Sequence, residues 1–163
     1  MNIITVPYGS KGFYTRPDTS LNKDSNDYFC PEEITELAAA VFIYARATKA
    51  GKSVASKFAP RYYTIVGSGI HFSAPQLIKE GKPETWHMAH SLDNSTFLLQ
   101  DETSAENISE ELIEKINGAF EAASKYVSFR TGDYIAIELE PPVTIKNTTD
   151  KYIRNGKQIN IIW

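Results

Sequence analysis

The longest apolar run of the chain reads Leu37-Ala38-Ala39-Ala40-Val41-Phe42-Ile43-Tyr44-Ala45. Its alanines favour a helix, whereas the β-branched and aromatic residues that follow them favour a buried strand. The sequence Lys49-Ala50-Gly51-Lys52 comes shortly afterwards and is typical of a hairpin turn. We therefore predict a strand over residues 37–45 that ends at a hairpin turn.

Shorter segments on both sides of this run also have strand patterns. They are rich in β-branched and aromatic residues and are bounded by glycine, proline or asparagine. Further strands are predicted over residues 1–6, 13–15, 63–72 and 134–139, and on either side of the hairpin signal Asn155-Gly156.

Two helices are predicted from capping and spacing. Residues 53–62 are predicted as a short helix capped by Ser53. Residues 104–125 are predicted as the main helix, because their apolar residues recur at helical spacing, and Asn107 and Ser109 are its two candidate N-caps. Many short strands with few helices and no βαβ rhythm indicate an α+β fold with a mostly antiparallel sheet.

Composition limits the function classes. A chain of 163 residues with 42% hydrophobic residues predicts one globular domain over residues 1–163, and no apolar run reaches the ~20 residues that span a bilayer. Lys and Arg number 17 against 20 Asp and Glu, and no basic cluster is present, so we expect neither nucleic-acid nor membrane partners. The N-terminus has no signal-peptide pattern, and Cys30 is the only cysteine, so a reducing cytoplasmic location is predicted.

The three histidines are the most distinctive polar residues. His71, His87 and His90 lie within twenty consecutive positions, and the last two are neighbours on one face if their segment is helical. Three imidazoles could bind Zn²⁺, or they could be ordinary polar residues that cluster by chance. The acidic residues and Cys30 are interpreted as turn, cap or core residues rather than catalysts.

Several stretches, taken in order along the chain, resemble the fumarylacetoacetate hydrolase family, and in particular its small acylpyruvate-hydrolase-like branch. Residues 13–21 resemble the family's aromatic strand and its Lys-Pro-Asp-Thr-Ala-Leu sequence, and residues 69–74 resemble Gly-Ile-Asp-Phe-Thr-Ala. Residues 49–63, 86–95 and 131–133 resemble further family segments. Most of the chain is covered, although no single stretch is specific alone.

The resemblance implies a mixed β-roll, barrel-like, with flanking helices, and a homodimer that takes a small carboxylate ligand. Active members hold Mg²⁺ or Mn²⁺ with a Glu-x-Glu pair and a later aspartate. The metal polarises a 2-oxo acid or 1,3-dicarbonyl substrate for carbon–carbon cleavage, while a histidine–glutamate pair on an N-terminal loop activates water.

This sequence departs from that pattern at the chemical positions. The three metal-ligand positions fall on Ala38, Ala40 and His71, so no metal cofactor is expected. Residues 7–12 replace the N-terminal catalytic loop by a short glycine turn, which leaves the chain shortened and degenerate relative to the family. The family's substrate loop becomes residues 137–141. The candidate pocket residues are Arg16, His71, His87, His90, Asp93 and Ser95.

Three functional hypotheses follow. The first is a non-hydrolytic binding or regulatory homologue, because both the metal ligands and the catalytic loop are missing. The second is a hydrolase or lyase with a site rebuilt from His71, His87 and His90. The third is a conventional hydrolase whose metal ligands include Glu32, Glu33 or Glu36, with the alignment shifted.

Overall fold

The apolar run forms the centre of an eleven-residue strand, as predicted, in a computed structural model that describes residues 1–163. The strands are β1 Ile3–Val6, β2 Tyr14–Arg16, β3 Asp27–Phe29, β4 Glu36–Arg46, β5 Ile65–Ser73, β6 Thr96–Leu98, β7 Thr103–Ser104, β8 Tyr134–Glu138, β9 Val143–Lys146, β10 Lys151–Arg154 and β11 Lys157–Ile162. The α-helices are α1 Pro83–His90 and α2 Glu110–Ser124. No helix is long and apolar enough to cross a membrane.

The strands form two sheets that are mixed and mostly antiparallel. The larger sheet has the order β2-β1-β8-β4-β5-β6, with β7 added to β5 and β9 added to β4. Only β1 and β8 run parallel within it. The smaller sheet has the order β10-β11-β3, in which β11 and β3 are parallel. The predicted α+β class and mixed sheet are confirmed.

The larger sheet curls until its two edges meet, which gives the β-roll. Leu21, just after β2, pairs with Thr96 at the start of β6. The amide of Asn22 donates to the Thr96 carbonyl at 2.8 Å, and the amide of Asn94 donates to the Thr19 carbonyl at 2.9 Å. These bonds pair backbone groups that would otherwise lie at open sheet edges.

β4 lies at the centre of the roll and is buried on both faces. Its outward residues Leu37, Ala39 and Val41 pack under the smaller sheet, and Ile43 packs under α2. Its inward residues include Phe42, which packs in the interior of the roll. Because both faces are covered, the strand sequence is continuously apolar rather than alternating.

Two local predictions were wrong. Residues 53–62 do not form a capped α-helix: Ser56–Arg61 is a 3₁₀ helix with Pro60 inside it and no side-chain cap. No tight hairpin follows β4 either, since Gly51 exchanges backbone hydrogen bonds with Phe129 at 3.1 and 3.0 Å. A long connection therefore joins β4 to β5.

The main helix is shorter than the sequence predicted. Ser109 has a non-helical backbone, and its hydroxyl accepts from the Leu112 amide at 3.4 Å, so α2 begins at Glu110 rather than near residue 104. Residues 105–107 form a separate 3₁₀ turn. The helix packs Ile116 and Phe120 onto the outer face of the larger sheet.

Two glycines in β5 make room for aromatic rings from β4. Gly67 faces Tyr44 and Gly69 faces Phe42 across the ladder. A Cβ added at Gly69 would lie 2.2 Å from Phe42 Cζ, which is far inside van der Waals contact. The glycines therefore let the two rings lie across the strand and fill the interior of the roll.

Gly69→Ala is accordingly expected to lower the free energy of unfolding by about 1–3 kcal/mol, because the Phe42 ring must move out of a packed interior. The matched control is Gly118→Ala in α2, where nothing lies within 4 Å of the added Cβ. That change is expected to raise the free energy of unfolding by about 0.5–1 kcal/mol through helix propensity. Urea unfolding of both variants measures the difference, and equal stabilities would contradict the packing argument.

Candidate functional site

Polar side chains from several strands meet on the inner face of the roll. In the β4–β5 ladder Ala40 lies opposite His71, and in the β4–β8 ladder Phe42 lies opposite Glu138. Tyr14 in β2 points to the same interior and contacts both polar residues. Because side chains alternate along each strand, this register places the phenol, imidazole and carboxylate on one surface.

Glu138 is the acceptor at the centre of this cluster. Its Oε1 lies 2.9 Å from His71 Nε2 and accepts from the Tyr14 hydroxyl at 3.2 Å. Its Oε2 accepts from the Tyr8 amide at 3.1 Å. Although burial raises the pKa of Glu138, the hydrogen bonds from His71, Tyr8 and Tyr14 outweigh it and hold that pKa below its ordinary value. The carboxylate is therefore charged at neutral pH.

His71 is neutral at the same pH. Burial, helped by the nearby Arg16 cation, lowers the pKa of His71 to about 4. A neutral imidazole has one N–H, and the contact with the Glu138 carboxylate assigns it to Nε2. His71 Nδ1 is then a bare lone pair that is buried without a partner, while the ring stacks on Phe42 with centroids 4.8 Å apart.

His90 presents a second neutral imidazole from α1. Its Nδ1 lies 2.8 Å from the Trp86 carbonyl one turn earlier, so Nδ1 carries the proton and Nε2 is the free acceptor. The ring stacks on Trp86 with centroids 3.8 Å apart and meets Tyr14 nearly edge-on at 5.1 Å. Burial is the main cause that lowers the pKa of His90.

A cavity of about 210 Å³ opens beside these groups. It is smaller than the roughly 300–1,000 Å³ that holds drug-sized ligands, so its size suits a molecule of a few heavy atoms. The cavity is lined by Pro7, Tyr8, Tyr14, Ala40, His71, Ser73, Trp86, His90, Glu138, Pro141 and Pro142.

Arg16 lies next to the cluster and ties together the two edges of the roll. It is fully buried. Its Nε donates to Thr96 Oγ1 at 3.1 Å, and its Nη2 donates to the Phe72 carbonyl at 2.8 Å and to Ser95 Oγ at 2.5 Å. It forms no ion pair, and its Nη1 has no partner.

The six candidate pocket residues do not all converge. His71 and His90 line the cavity, and Arg16 and Ser95 bond to each other beside it. His87 is exposed, and its Nε2 lies 3.3 Å from Ser91 Oγ on the same helix. Asp93 lines a different cavity of about 400 Å³ together with Asn22, Asp24 and Tyr28.

Sequence reasoning did not single out Glu138, Tyr14, Tyr8 or Trp86 as site residues. A usable signal was present for Glu138, because strand alternation puts its carboxylate on the same face as Tyr134 and Ala136. A carboxylate on a buried apolar strand face requires partners. No comparable signal marked Tyr8, whose contribution to the cluster is a backbone amide.

The side chains here do not suit the Mg²⁺ or Mn²⁺ that the family resemblance implies. Ala40 lies opposite His71, and Ala38 lies opposite Ser73, so methyl groups stand at two of the three ligand positions. The nearby carboxylate, Glu138, already accepts three hydrogen bonds. No group of three or more His, Cys, Asp or Glu residues in the chain is arranged to hold a metal ion. Hard cations of this kind need several oxygen ligands.

The acidic residues of the third hypothesis lie away from the cavity. Glu32 and Glu33 are exposed in the turn before β4. Glu36 begins β4 and pairs in register with Lys146 of β9, and it does not line the cavity.

Several solved structures share this fold. No protein-family model and no curated protein matches the sequence. Among solved structures, a protein assigned to the fumarylacetoacetate hydrolase family from Yersinia pestis CO92 has a TM-score of 0.73 at 14% identity, covering 99% of this chain and 91% of that one. Maleylpyruvate hydrolase from Sphingobium sp. SYK-6 has a TM-score of 0.71 at 14% identity, covering 99% and 70%.

Fumarylpyruvate hydrolase from Pseudomonas aeruginosa, solved with Mn²⁺ and pyruvate, has a TM-score of 0.66 at 10% identity, with 99% of this chain and 89% of that one covered. The chain therefore has the fold of the fumarylacetoacetate hydrolase family, as the resemblance predicted. At these identities the likeness concerns the fold, and the chemistry must be argued from this chain's own residues.

Proposed function

We propose that this chain is a small-molecule-binding homologue that does not catalyse the metal-dependent carbon–carbon hydrolysis of the fold's enzymes. One observation carries the proposal: at the positions where the resemblance puts metal carboxylates, β4 has the methyl groups of Ala38, opposite Ser73, and Ala40, opposite His71. The cavity beside them still has polar groups and space for a ligand.

Hydrolysis of this kind needs two chemical groups that the chain does not supply at these positions. Cleavage next to a carbonyl requires a Lewis acid or an equivalent to stabilise the developing enolate, and it requires a base that activates water. Alanines supply no ligand atoms. The turn over residues 7–12 carries no histidine or glutamate, and the Tyr8 amide within it is already bonded to Glu138.

Steady-state assays test this proposal directly. With acylpyruvates or oxaloacetate and either Mg²⁺ or Mn²⁺, we expect no turnover above the rate in protein-free buffer containing the same metal. Turnover of about 1 s⁻¹ or more, which is ordinary for enzymes, would overturn the proposal. The proposal also predicts that a small molecule binds saturably at the cavity.

A second candidate function is metal-independent acid–base chemistry, and His90 is the observation that favours it. The Trp86 carbonyl fixes the tautomer so that Nε2 is a free base on a cavity that also contains Glu138. Such a base could remove a proton next to a carbonyl. Exchange of the pyruvate methyl protons for deuterium, followed by NMR, tests this. Exchange that is lost in His90→Phe would support it, and exchange equal to buffer would exclude it.

The earlier idea of a rebuilt three-histidine metal site can be tested separately. His71 and His90 reach the cavity, but His87 bonds to Ser91 on the exposed side of α1. Zinc content of the purified protein is the measurement. Stoichiometric zinc that is lost in His90→Ala would revive the three-histidine site.

Two further expectations remain proposals. The homodimer rests on the family resemblance and is tested by light scattering after size exclusion. The cytoplasmic location rests on the cysteine content, since Cys30 is buried and unpaired, and localisation of a tagged chain tests it.

A further inference from the structure

We infer that the cavity beside Glu138 takes a small organic cation, a primary or methylated ammonium, rather than a carboxylate. The inference rests on the proposed binding function and specifies its ligand class. It departs from the small carboxylate that the family resemblance implies, because the one charged group that lines this cavity is itself a carboxylate.

The charge of the lining is the first argument. Glu138 is the only carboxylate on the cavity, and no Lys or Arg lines it. The three groups that face the carboxylate, the Tyr8 amide, the Tyr14 hydroxyl and the His71 N–H, are all neutral donors. A carboxylate offers about four lone-pair positions, so one remains for a ligand.

The two other charged residues nearby, Arg16 and Glu140, form no direct contact that neutralises the Glu138 carboxylate. Arg16 is buried beside Tyr14 and does not line the cavity; its Nε and Nη2 donate to Thr96, Phe72 and Ser95, and its Nη1 has no partner. Glu140, two residues beyond Glu138, is paired with Arg154 at 2.8 Å.

The absence of charged donors on the lining is the second argument. Three of the lining residues, Pro7, Pro141 and Pro142, have no backbone N–H to offer. His90 contributes a bare Nε2, because its N–H is bonded to the Trp86 carbonyl. The side-chain donors on the lining that are not bonded to Glu138, from Tyr8, Ser73 and Trp86, are all neutral, whereas an ammonium ligand brings its own charged donors to the Glu138 and His90 acceptors.

The walls are the third argument. Tyr14 and Trp86 bring aromatic rings to the cavity, and the two rings meet nearly edge-on with centroids 4.9 Å apart. Aromatic rings attract cations, and quaternary ammonium groups are recognised by cages of such rings. The cavity of about 210 Å³ limits the ligand to a few heavy atoms.

Fluorescence titration tests the inference. Trp163→Phe leaves Trp86 as the only tryptophan, because the chain has two. Methylammonium and trimethylammonium chloride are titrated against sodium acetate and sodium pyruvate at matched ionic strength. We expect a saturable change in Trp86 emission with the ammonium salts and none with the two carboxylates.

Variants in the same background locate the binding. Glu138→Gln is expected to weaken ammonium binding at least tenfold, whereas Glu114→Gln, on the exposed face of α2, leaves it unchanged. His90→Phe keeps a ring against Trp86 but removes the acceptor, and it is expected to weaken binding about tenfold. It also serves as the second probe if Glu138→Gln fails to fold.

The outcomes separate the two proposals. Saturation by carboxylates but not by ammonium salts would overturn the cation assignment and leave the binding function intact. No saturation by either class, in protein that is folded by circular dichroism, would overturn the cation assignment and remove the support for ligand binding. Ammonium binding that Glu138→Gln and His90→Phe leave unchanged would also overturn the assignment.

Discussion

Arg16→Ala is expected to lower the free energy of unfolding by about 3–5 kcal/mol. The side chain is fully buried and donates three hydrogen bonds to Phe72, Ser95 and Thr96. Alanine leaves these acceptors without donors and opens a cavity between β2 and β6. Since domains of this size are stable by only roughly 5–15 kcal/mol, the loss would be a large fraction of the total.

Urea unfolding measures this loss, and Arg61→Ala is the matched control because Arg61 is exposed at the end of a 3₁₀ helix. The control is expected to change stability by less than about 0.5 kcal/mol. Arg16→Lys should recover only part of the loss, because an ammonium cannot reproduce the fork of donors. Equal stabilities of Arg16→Ala and Arg61→Ala would show that the guanidinium does not hold the roll together.

The second large effect is loss of stability in acid, caused by His71. In the unfolded chain this histidine has its ordinary pKa of 6.5, whereas in the fold the pKa is lowered to about 4. Between these values the unfolded chain binds a proton that the folded chain excludes, so stability falls as the pH falls. From pH 7 to pH 4.5 we expect His71 to contribute a loss of about 2–3 kcal/mol.

The comparison that isolates this contribution is His71→Gln, which keeps a donor for Glu138 but does not titrate. Its free energy of unfolding should fall by about 2–3 kcal/mol less than that of the unaltered chain between pH 7 and pH 4.5. His87→Gln, on the exposed side of α1, should follow the unaltered chain. If the free energy of unfolding changed with pH in the same way for all three proteins, His71 would be protonated as readily in the folded protein as in the unfolded chain.

Much of the secondary structure could be predicted because its signals are local. The β-branched and aromatic residues of 41–44 outweighed the preceding alanines, and Asn155-Gly156 marked the final hairpin correctly. Errors arose where a local signal was ambiguous. Two capping residues competed at the start of α2, and Ser109 was the one that the backbone used.

The candidate site was only partly predictable, because its members are far apart in sequence. Tyr14 and Glu138 are 124 positions apart, and His71 and Glu138 are 67 apart. His87 and His90 are close in sequence, yet one is exposed and the other lines the cavity. Proximity along the chain therefore suggested a three-histidine cluster that the helix does not assemble.

By itself the sequence determined most of the longer strands, the main helix and the α+β class, since these follow from residue preference and from the period of burial, whereas the short strands β3, β6, β7 and β9 and the helix α1 were not predicted. Only the tertiary structure decided that Glu138 meets His71 and Tyr14, and that Arg16 joins the two edges of the roll. Those contacts depend on strand register and on the curl of the sheet, which are set by pairing between distant segments rather than by any local pattern.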